Sequence, residues 1–107
     1  MKRLLILLIL FFSYTTYSQT AEEYYNSGYE KYENKDYENA IADFTKTIEL
    51  KPNPDAYYYR GNSKDDLKDY YGAIKDYNKA IKLDPDYVKA YNNRGLAKHN
   101  LQNYSGA

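Results

Sequence analysis

Asp69–Pro85, DYYGAIKDYNKAIKLDP, is the stretch that decides the fold, because the chain already carries it at Asp36–Pro52 as DYENAIADFTKTIELKP. With the two aligned, Asp36/Asp69, Tyr37/Tyr70, Ala40/Ala73, Ile41/Ile74, Asp43/Asp76, Lys46/Lys79, Ile48/Ile81, Leu50/Leu83 and Pro52/Pro85 are identical. Phe44/Tyr77 keeps an aromatic ring. Chance would give about one identity in a stretch this long, so this is an internal repeat, and a period in the thirties is the mark of a solenoid. Such an architecture holds other molecules. It does not by itself name them.

Working outward, helix signals recur on the same period. Thr20-Ala21-Glu22-Glu23 reads as a capping box opening a helix that runs to about Glu33. Asn34-Lys35-Asp36 is a turn, with Asp36 as N-cap of the next helix. Tyr37, Ala40, Ile41, Phe44 and Ile48 then form one apolar stripe at three-to-four spacing, and Pro52 ends it. Asn53-Pro54 starts a third helix with proline at its first position, where the missing N–H costs nothing. It reaches about Leu67. Asp69 caps the fourth helix, whose stripe is Tyr70, Ala73, Ile74, Tyr77 and Ile81, with the stop at Pro85. A fifth helix is expected from near Tyr87 to about Leu101, then a turn at Gln102-Asn103 and the start of a sixth helix at Tyr104. No strand pattern competes, since period-two alternation and glycine hairpin turns are absent.

These marks resemble the tetratricopeptide repeat, a helix–turn–helix unit of about 34 residues. The family's aromatic, glycine or alanine, alanine, aromatic, small residue and proline fall on Tyr24, Gly28, Ala40, Phe44, Thr47 and Pro52, and again on Tyr57, Gly61, Ala73, Tyr77, Ala80 and Pro85. A third set begins with Tyr91, Gly95 and Ala107. The resemblance implies an all-α fold of helical hairpins stacked as a right-handed superhelix, about two and a half repeats long. The repeats are expected at residues 21–53, 54–87 and 88–107, the last truncated. Gly28 and Gly61 are expected to let paired helices approach closely, with Ala40 and Ala73 facing them. Lys31, Lys64 and Lys98 stand where the family often has tyrosine. Marginal stability is expected, with an apolar open end around Tyr91, Leu101 and Tyr104.

The chain's start has a different character. Met1-Lys2-Arg3, the apolar run Leu4–Phe12 and the small or hydroxylated residues up to Ser18 have the layout of a secretory signal peptide, residues 1–18. The apolar run is shorter than the roughly 20 residues a spanning helix needs. The expectation is an exported protein, periplasmic or secreted and bacterial, with no membrane association after cleavage. With no cysteine in the chain, disulfides are excluded.

Charge and chemistry narrow the function. Residues 19–107 carry no concentrated basic face of the kind nucleic acid requires. The charge is nonetheless uneven: residues 21–53 are acidic, and residues 88–107 hold Lys89, Arg94 and Lys98 with no acid. No catalytic constellation, metal-ligand spacing or phosphate loop is legible, so no enzyme activity, cofactor or metal is expected. Asp65-Asp66 reads as solvated surface.

The tyrosines are more informative. Tyr24, Tyr57, Tyr91, Tyr37, Tyr70, Tyr104 and Tyr77 have packing positions in the repeat, and Tyr71 and Tyr87 read as bystanders. The resemblance places Tyr25, Tyr29, Tyr32, Tyr58 and Tyr59 on the concave face, together with Asn26, Asn62, Lys89, Asn92, Asn93 and His99. For His99 an ordinary exposed histidine is the favoured reading over a groove contact. Tyrosine offers contact area at low entropic cost, and asparagine can pair with peptide amides. The expected function is non-catalytic binding of a peptide or protein segment in that groove. The alternative is structural: the amino-terminal part of a longer solenoid, or self-association through the open end. Family members that clamp chaperone C-terminal carboxylates use lysine, asparagine and arginine. Here those positions hold Tyr25, Tyr29, Tyr59, Lys89 and Asn93, of which only Lys89 matches.

Overall fold

A computed structural model describes residues 19–104, so the expected signal peptide lies outside the described residues. Five helices follow one another: α1 (Ala21–Glu33), α2 (Tyr37–Leu50), α3 (Pro54–Asp66), α4 (Tyr70–Leu83) and α5 (Val88–Tyr104). No strand occurs among the described residues. The fold is all-α and built of helical hairpins, as the repeat implied.

Each helix packs on the next in the chain. In addition α1 touches α3 and α3 touches α5, whereas α2 and α4 do not meet. A stack whose first helices touch while its second helices splay is curved, with the α1–α3–α5 row inside. That curvature makes one face concave.

The caps follow their sequence signals with one exception. The Thr20 hydroxyl accepts from the Glu23 N–H at 3.1 Å, Asn53 accepts from Asp55 N–H at 2.8 Å, and Asp69 accepts from Gly72 N–H at 3.0 Å. Asp36 makes no side-chain cap. Its carboxylate instead accepts from the Asn39 side-chain amide at 3.0 Å. The turns at Lys35 and Lys68 have φ of 62° and 67°. Each closes with a six-residue bond, Asp36 N–H to Lys31 C=O and Asp69 N–H to Lys64 C=O, both 2.8 Å. A left-handed lysine costs about 1–2 kcal/mol, which the packing of the following helix offsets.

The third turn does not form. Gln102 stands where Lys35 and Lys68 stand, yet α5 runs through it to Tyr104. The expected stop near Leu101 is therefore corrected, while the sixth helix expected from Tyr104 onward falls on residues 105–107, outside the described residues.

The core is small-residue and aromatic. Ala40, Phe44 and Ala56 are buried with Tyr25, Tyr32, Ile48 and Tyr59 packed against them. Tyr58, Ala73, Tyr77, Ala80, Ala90 and Ala97 form a second cluster backed by Ile74 and Ile81. The expected open end is present at Tyr91, which is 41 % exposed rather than packed. Leu101 is half-buried, so it is not part of that open surface.

Gly28 and Gly61 set the distance within each hairpin, and the atoms that come nearest to them are ring carbons rather than the expected alanine methyl. A Cβ on Gly28 would lie 2.9 Å from Phe44 Cε1, and one on Gly61 2.8 Å from Tyr77 Cε1. The ring at the next stripe position lies on the glycine. Beside each ring an aspartate is held across the hairpin. Asp43 accepts from Ser27 at 2.6 Å and Lys31 at 2.7 Å. Asp76, almost fully buried, takes a bidentate bond from Arg60 (2.8 and 2.7 Å) and a third from Lys64 at 3.0 Å. The Arg60 NH1 also donates to Thr45 Oγ1 at 3.1 Å, tying α3 to the preceding α2. This explains the lysines: they are the cations of the hairpin's ion pair.

Two substitutions test this construction by chemical or thermal melts. Gly61→Ala is expected to destabilise by about 1–3 kcal/mol through overpacking against Tyr77, despite alanine's better helix propensity. Asp76→Asn, which leaves Arg60 and Lys64 without their anion in a largely buried site, is expected to cost about 3 kcal/mol. Unchanged stability in both would refute the arrangement.

Candidate binding surface

The concave row is built by helical spacing. On α1, Tyr25, Tyr29 and Tyr32 follow one another at four and three residues and so share a face. On α3, Tyr58, Asn62 and Asp65 do the same. Curvature brings the two faces together. Tyr59 is the hub, with ring centroids 5.1 Å from Tyr29, 5.3 Å from Tyr32, 6.4 Å from Tyr25 and 5.1 Å from Tyr58. Tyr58 in turn stacks on Tyr87 at 4.9 Å. A continuous chain of rings thus runs from α1 to the loop before α5.

Not every expected groove residue offers a free surface. Tyr58 and Asn62 are buried. Asn62 Oδ1 accepts from the Tyr77 hydroxyl at 2.6 Å and from Asn93 Nδ2 at 3.0 Å, and Asn93 also donates to the Tyr58 hydroxyl at 3.0 Å. These four form the floor and tie α3 to α4 and α5. Tyr29 is the most open ring of the cluster, and Tyr25, Tyr32 and Tyr59 are half-buried. Asn26, Asn92 and His99 are exposed and line neither of the two clefts described next; His99 pairs with Asn103 at 3.3 Å. Lys89 lies on the rim of the larger cleft.

That cleft, about 430 Å³, lies between Tyr25, Asp55, Tyr59, Asp84, Asp86, Tyr87, Val88 and Lys89. A smaller one, about 200 Å³, is lined by Tyr32, Tyr58, Asn62, Asp65, Asp66 and Asn93. Both combine tyrosine with carboxylates. Tyr87 is no bystander: its hydroxyl donates to Asp55 at 2.6 Å and its ring covers Tyr58. Asp65 is half-buried rather than plain solvated surface. Sequence reading missed Asp55, Asp84, Asp86 and Tyr87 because a helix start and a loop reach the groove only through the curvature of the stack. The one legible signal was the tyrosine directly after Asp84-Pro85-Asp86.

Apart from Lys89 on the rim of the larger cleft, the charged groups lining the two clefts are carboxylates. Tyr29 is pushed up to about 12 by hydrogen bonding to Glu33 and by that carboxylate's charge. Burial and then the Asp55 charge raise Tyr25, burial and then Asp66 raise Tyr32, and burial and then its bond to Asp55 raise Tyr87. Burial, reinforced by Asp66, raises the Asp65 carboxyl. Among the described residues no group of His, Cys, Asp and Glu could hold a metal ion, and no helix is long and apolar enough to cross a membrane.

Comparison with known proteins places this geometry. Residues 21–54 match the family described as "Tetratricopeptide repeat", and residues 66–102 the one described as "TPR repeat". No curated protein matches the chain. Among solved structures the chain is similar to the first TPR of Spaghetti (RPAP3) bound to HSP90 peptide SRMEEVD. The identity is 33 % with TM-score 0.75, over 80 % of this chain and 69 % of that one. It is similar to the TPR2B-domain:pHsp70 complex of yeast Sti1 at 32 % identity and TM-score 0.75, over 83 % and 72 %. It is also similar to the MamA protein at 32 % identity and TM-score 0.74, over 76 % of this chain and 45 % of that one.

The buried tyrosines make stability fall in alkali. Tyr25, Tyr77 and Tyr87 all have raised pKa values, by burial first. Their stabilisation is complete below the unfolded tyrosine pKa of about 10 and is lost as pH rises toward the folded values, because only the unfolded chain then releases protons. Phenolate absorbance against pH is expected to show a late group of tyrosines that ionise together with unfolding above about pH 10. A single transition with the fold intact would contradict this.

Proposed function

The chain belongs to the tetratricopeptide repeat family, and from that premise we propose that it is a non-catalytic interaction module whose α1–α3–α5 face holds an extended segment of another protein. The observation that carries this reading is the continuous tyrosine and carboxylate lining across three successive elements of the concave side. Two of the similar structures hold chaperone peptides on the same architecture.

The lining also argues for the sign of the partner. SRMEEVD is an acidic sequence. Here Tyr25, Tyr29, Tyr59 and Asn93 replace residues that would clamp such an anion, only Lys89 being kept, and Asp55, Asp84 and Asp86 outnumber it around the main cleft. Carboxylates at hydrogen-bonding distance from aromatic rings suit a lysine or arginine side chain, which gains from both the charge and the ring faces. The segment this surface favours is therefore basic.

Calorimetry with two peptides tests the reading. A ten-residue peptide carrying two lysines and two arginines is expected to bind with modest, salt-sensitive affinity, and SRMEEVD not to bind. Asp55→Asn with Tyr29→Ala is expected to weaken the basic peptide at least fivefold, since Tyr29 is open and its loss leaves the core intact. Preference for SRMEEVD would overturn the sign, and equal binding by the double variant would overturn the surface.

We also propose export, on the basic start, apolar run and small residues of the leader. Mass spectrometry of the chain from an envelope or medium fraction is expected to find Gln19 at the amino terminus. Recovery of the Met1 form from the cytosol alone would refute it.

A further inference from the structure

The same three helices line both clefts of the concave face, at different heights. On α1, Tyr25 lines the larger cleft and Tyr32 the smaller. On α3, Asp55 and Tyr59 line the larger, and Tyr58, Asp65 and Asp66 the smaller. On α5, Lys89 borders the larger and Asn93 the smaller. The larger cleft therefore lies toward the amino-terminal ends of α1, α3 and α5, and the smaller toward the carboxy-terminal ends of α1 and α3. Tyr58 and Tyr59, consecutive on α3 with ring centroids 5.1 Å apart, divide the two.

Each cleft sets carboxylates beside rings. Asp55, Asp84 and Asp86 stand with Tyr25, Tyr59 and Tyr87 in the larger, and Asp65 and Asp66 with Tyr32 and Tyr58 in the smaller. The cations of α1 and α3 are engaged elsewhere. Asp43 holds Lys31, Asp76 holds Arg60 and Lys64, and none of these three cations lines either cleft. In the smaller cleft, burial and then the neighbouring Asp66 raise the Asp65 carboxyl, so an arriving cation would relieve that repulsion.

We infer that the two clefts are paired subsites for two cationic side chains, lysine or arginine, four residues apart on one extended segment lying along α1 and α3. The inference rests on the reading of this face as a site for a basic segment, and adds the register that segment must have.

The spacing follows from helix rise. At 1.5 Å per residue, Tyr25 and Tyr32 are about 10 Å apart along α1, and Asp55 and Asp66 about 16 Å apart along α3. In an extended segment, residues i and i+4 point to the same side and stand about 13 Å apart, between those two separations. A spacing of two residues reaches only about 7 Å, and a spacing of eight reaches about 27 Å and overshoots. An odd spacing turns the second side chain away from the face. Tyr29, the most open ring, lies between Tyr25 and Tyr32 on α1. Its hydroxyl can pair with a backbone amide passing from one cleft to the other. A free polyamine has the charges but no amides, so the occupant is a peptide segment.

Three ten-residue peptides of Gly, Ser and Thr, blocked at both ends and carrying two lysines each, test the register. They differ only in placing the lysines two, four or eight residues apart, and binding is read by fluorescence anisotropy at low salt. The peptide with a spacing of four is expected to bind at least fivefold more tightly than the other two. Asp55→Asn and Asp66→Asn, one for each cleft, are each expected to weaken that peptide at least threefold and to erase the preference for its spacing. Asp66 is exposed at the carboxy-terminal end of α3, where loss of a negative charge does not weaken the helix, and thermal melts check that both variants fold. Equal binding by all three peptides would overturn the register and leave the basic segment standing, whereas binding by none would overturn both. A preference for the spacing of four that survives Asp66→Asn would remove the smaller cleft from the site and overturn the pairing. Spermidine binding more tightly than the peptide with a spacing of four would assign the clefts to a free polyamine and overturn the peptide occupant.

Discussion

A ring lying on a glycine is the constraint from which the rest of this structure follows. Phe44 on Gly28 and Tyr77 on Gly61 bring the two helices of a hairpin so close that a single added methyl would stand under 3 Å from ring carbon. A glycine in mid-helix costs about 1 kcal/mol relative to alanine, and the close approach offsets that cost. It also places the neighbouring aspartate where cations on the first helix can reach it. The buried Asp76 site is intelligible only in this setting. Arg60 supplies a planar fork, Lys64 a third donor, and the side chains around them exclude water.

The ion pair links the hairpins as well as closing them. Arg60 reaches back to Thr45 with the donor that Asp76 leaves over, and Arg94 repeats the gesture to Asn78. One side chain therefore fixes the distance within a repeat and the offset between repeats. The floor of Asn62, Asn93, Tyr58 and Tyr77 does the same on the concave side. With both sides tied, the first helices are held in a row and the second helices splay, and the curvature that forms the groove follows.

Curvature is what turns composition into a surface. Tyrosines scattered through the sequence become one connected set of rings around Tyr59, and acids from a helix start, a loop and a helix end arrive at the same two clefts. The upward displacement of the tyrosine pKa values is a consequence: half-buried phenols near carboxylates resist ionisation. The helix α5 runs on through the place where the earlier hairpins turn.

The helices, their caps, the stripe of each second helix and the repeat itself were determined by the sequence alone, because periodicity, proline and capping residues act locally and over one period. The row Tyr25, Tyr29 and Tyr32 was legible for the same reason, since spacing on one helix fixes a shared face. What the tertiary structure decided are the relations between helices. Tyr58 and Asn62 became the buried floor of the smaller cleft because Asn93 of α5 bonds to both. Tyr87 became a wall because the loop folds back onto Tyr58. Phe44 and Tyr77, not Ala40 and Ala73, took the glycine sites. The left-handed turn was adopted at Lys35 and Lys68, since a strained backbone residue persists only where packing around it offsets the strain, and that packing is a property of three dimensions.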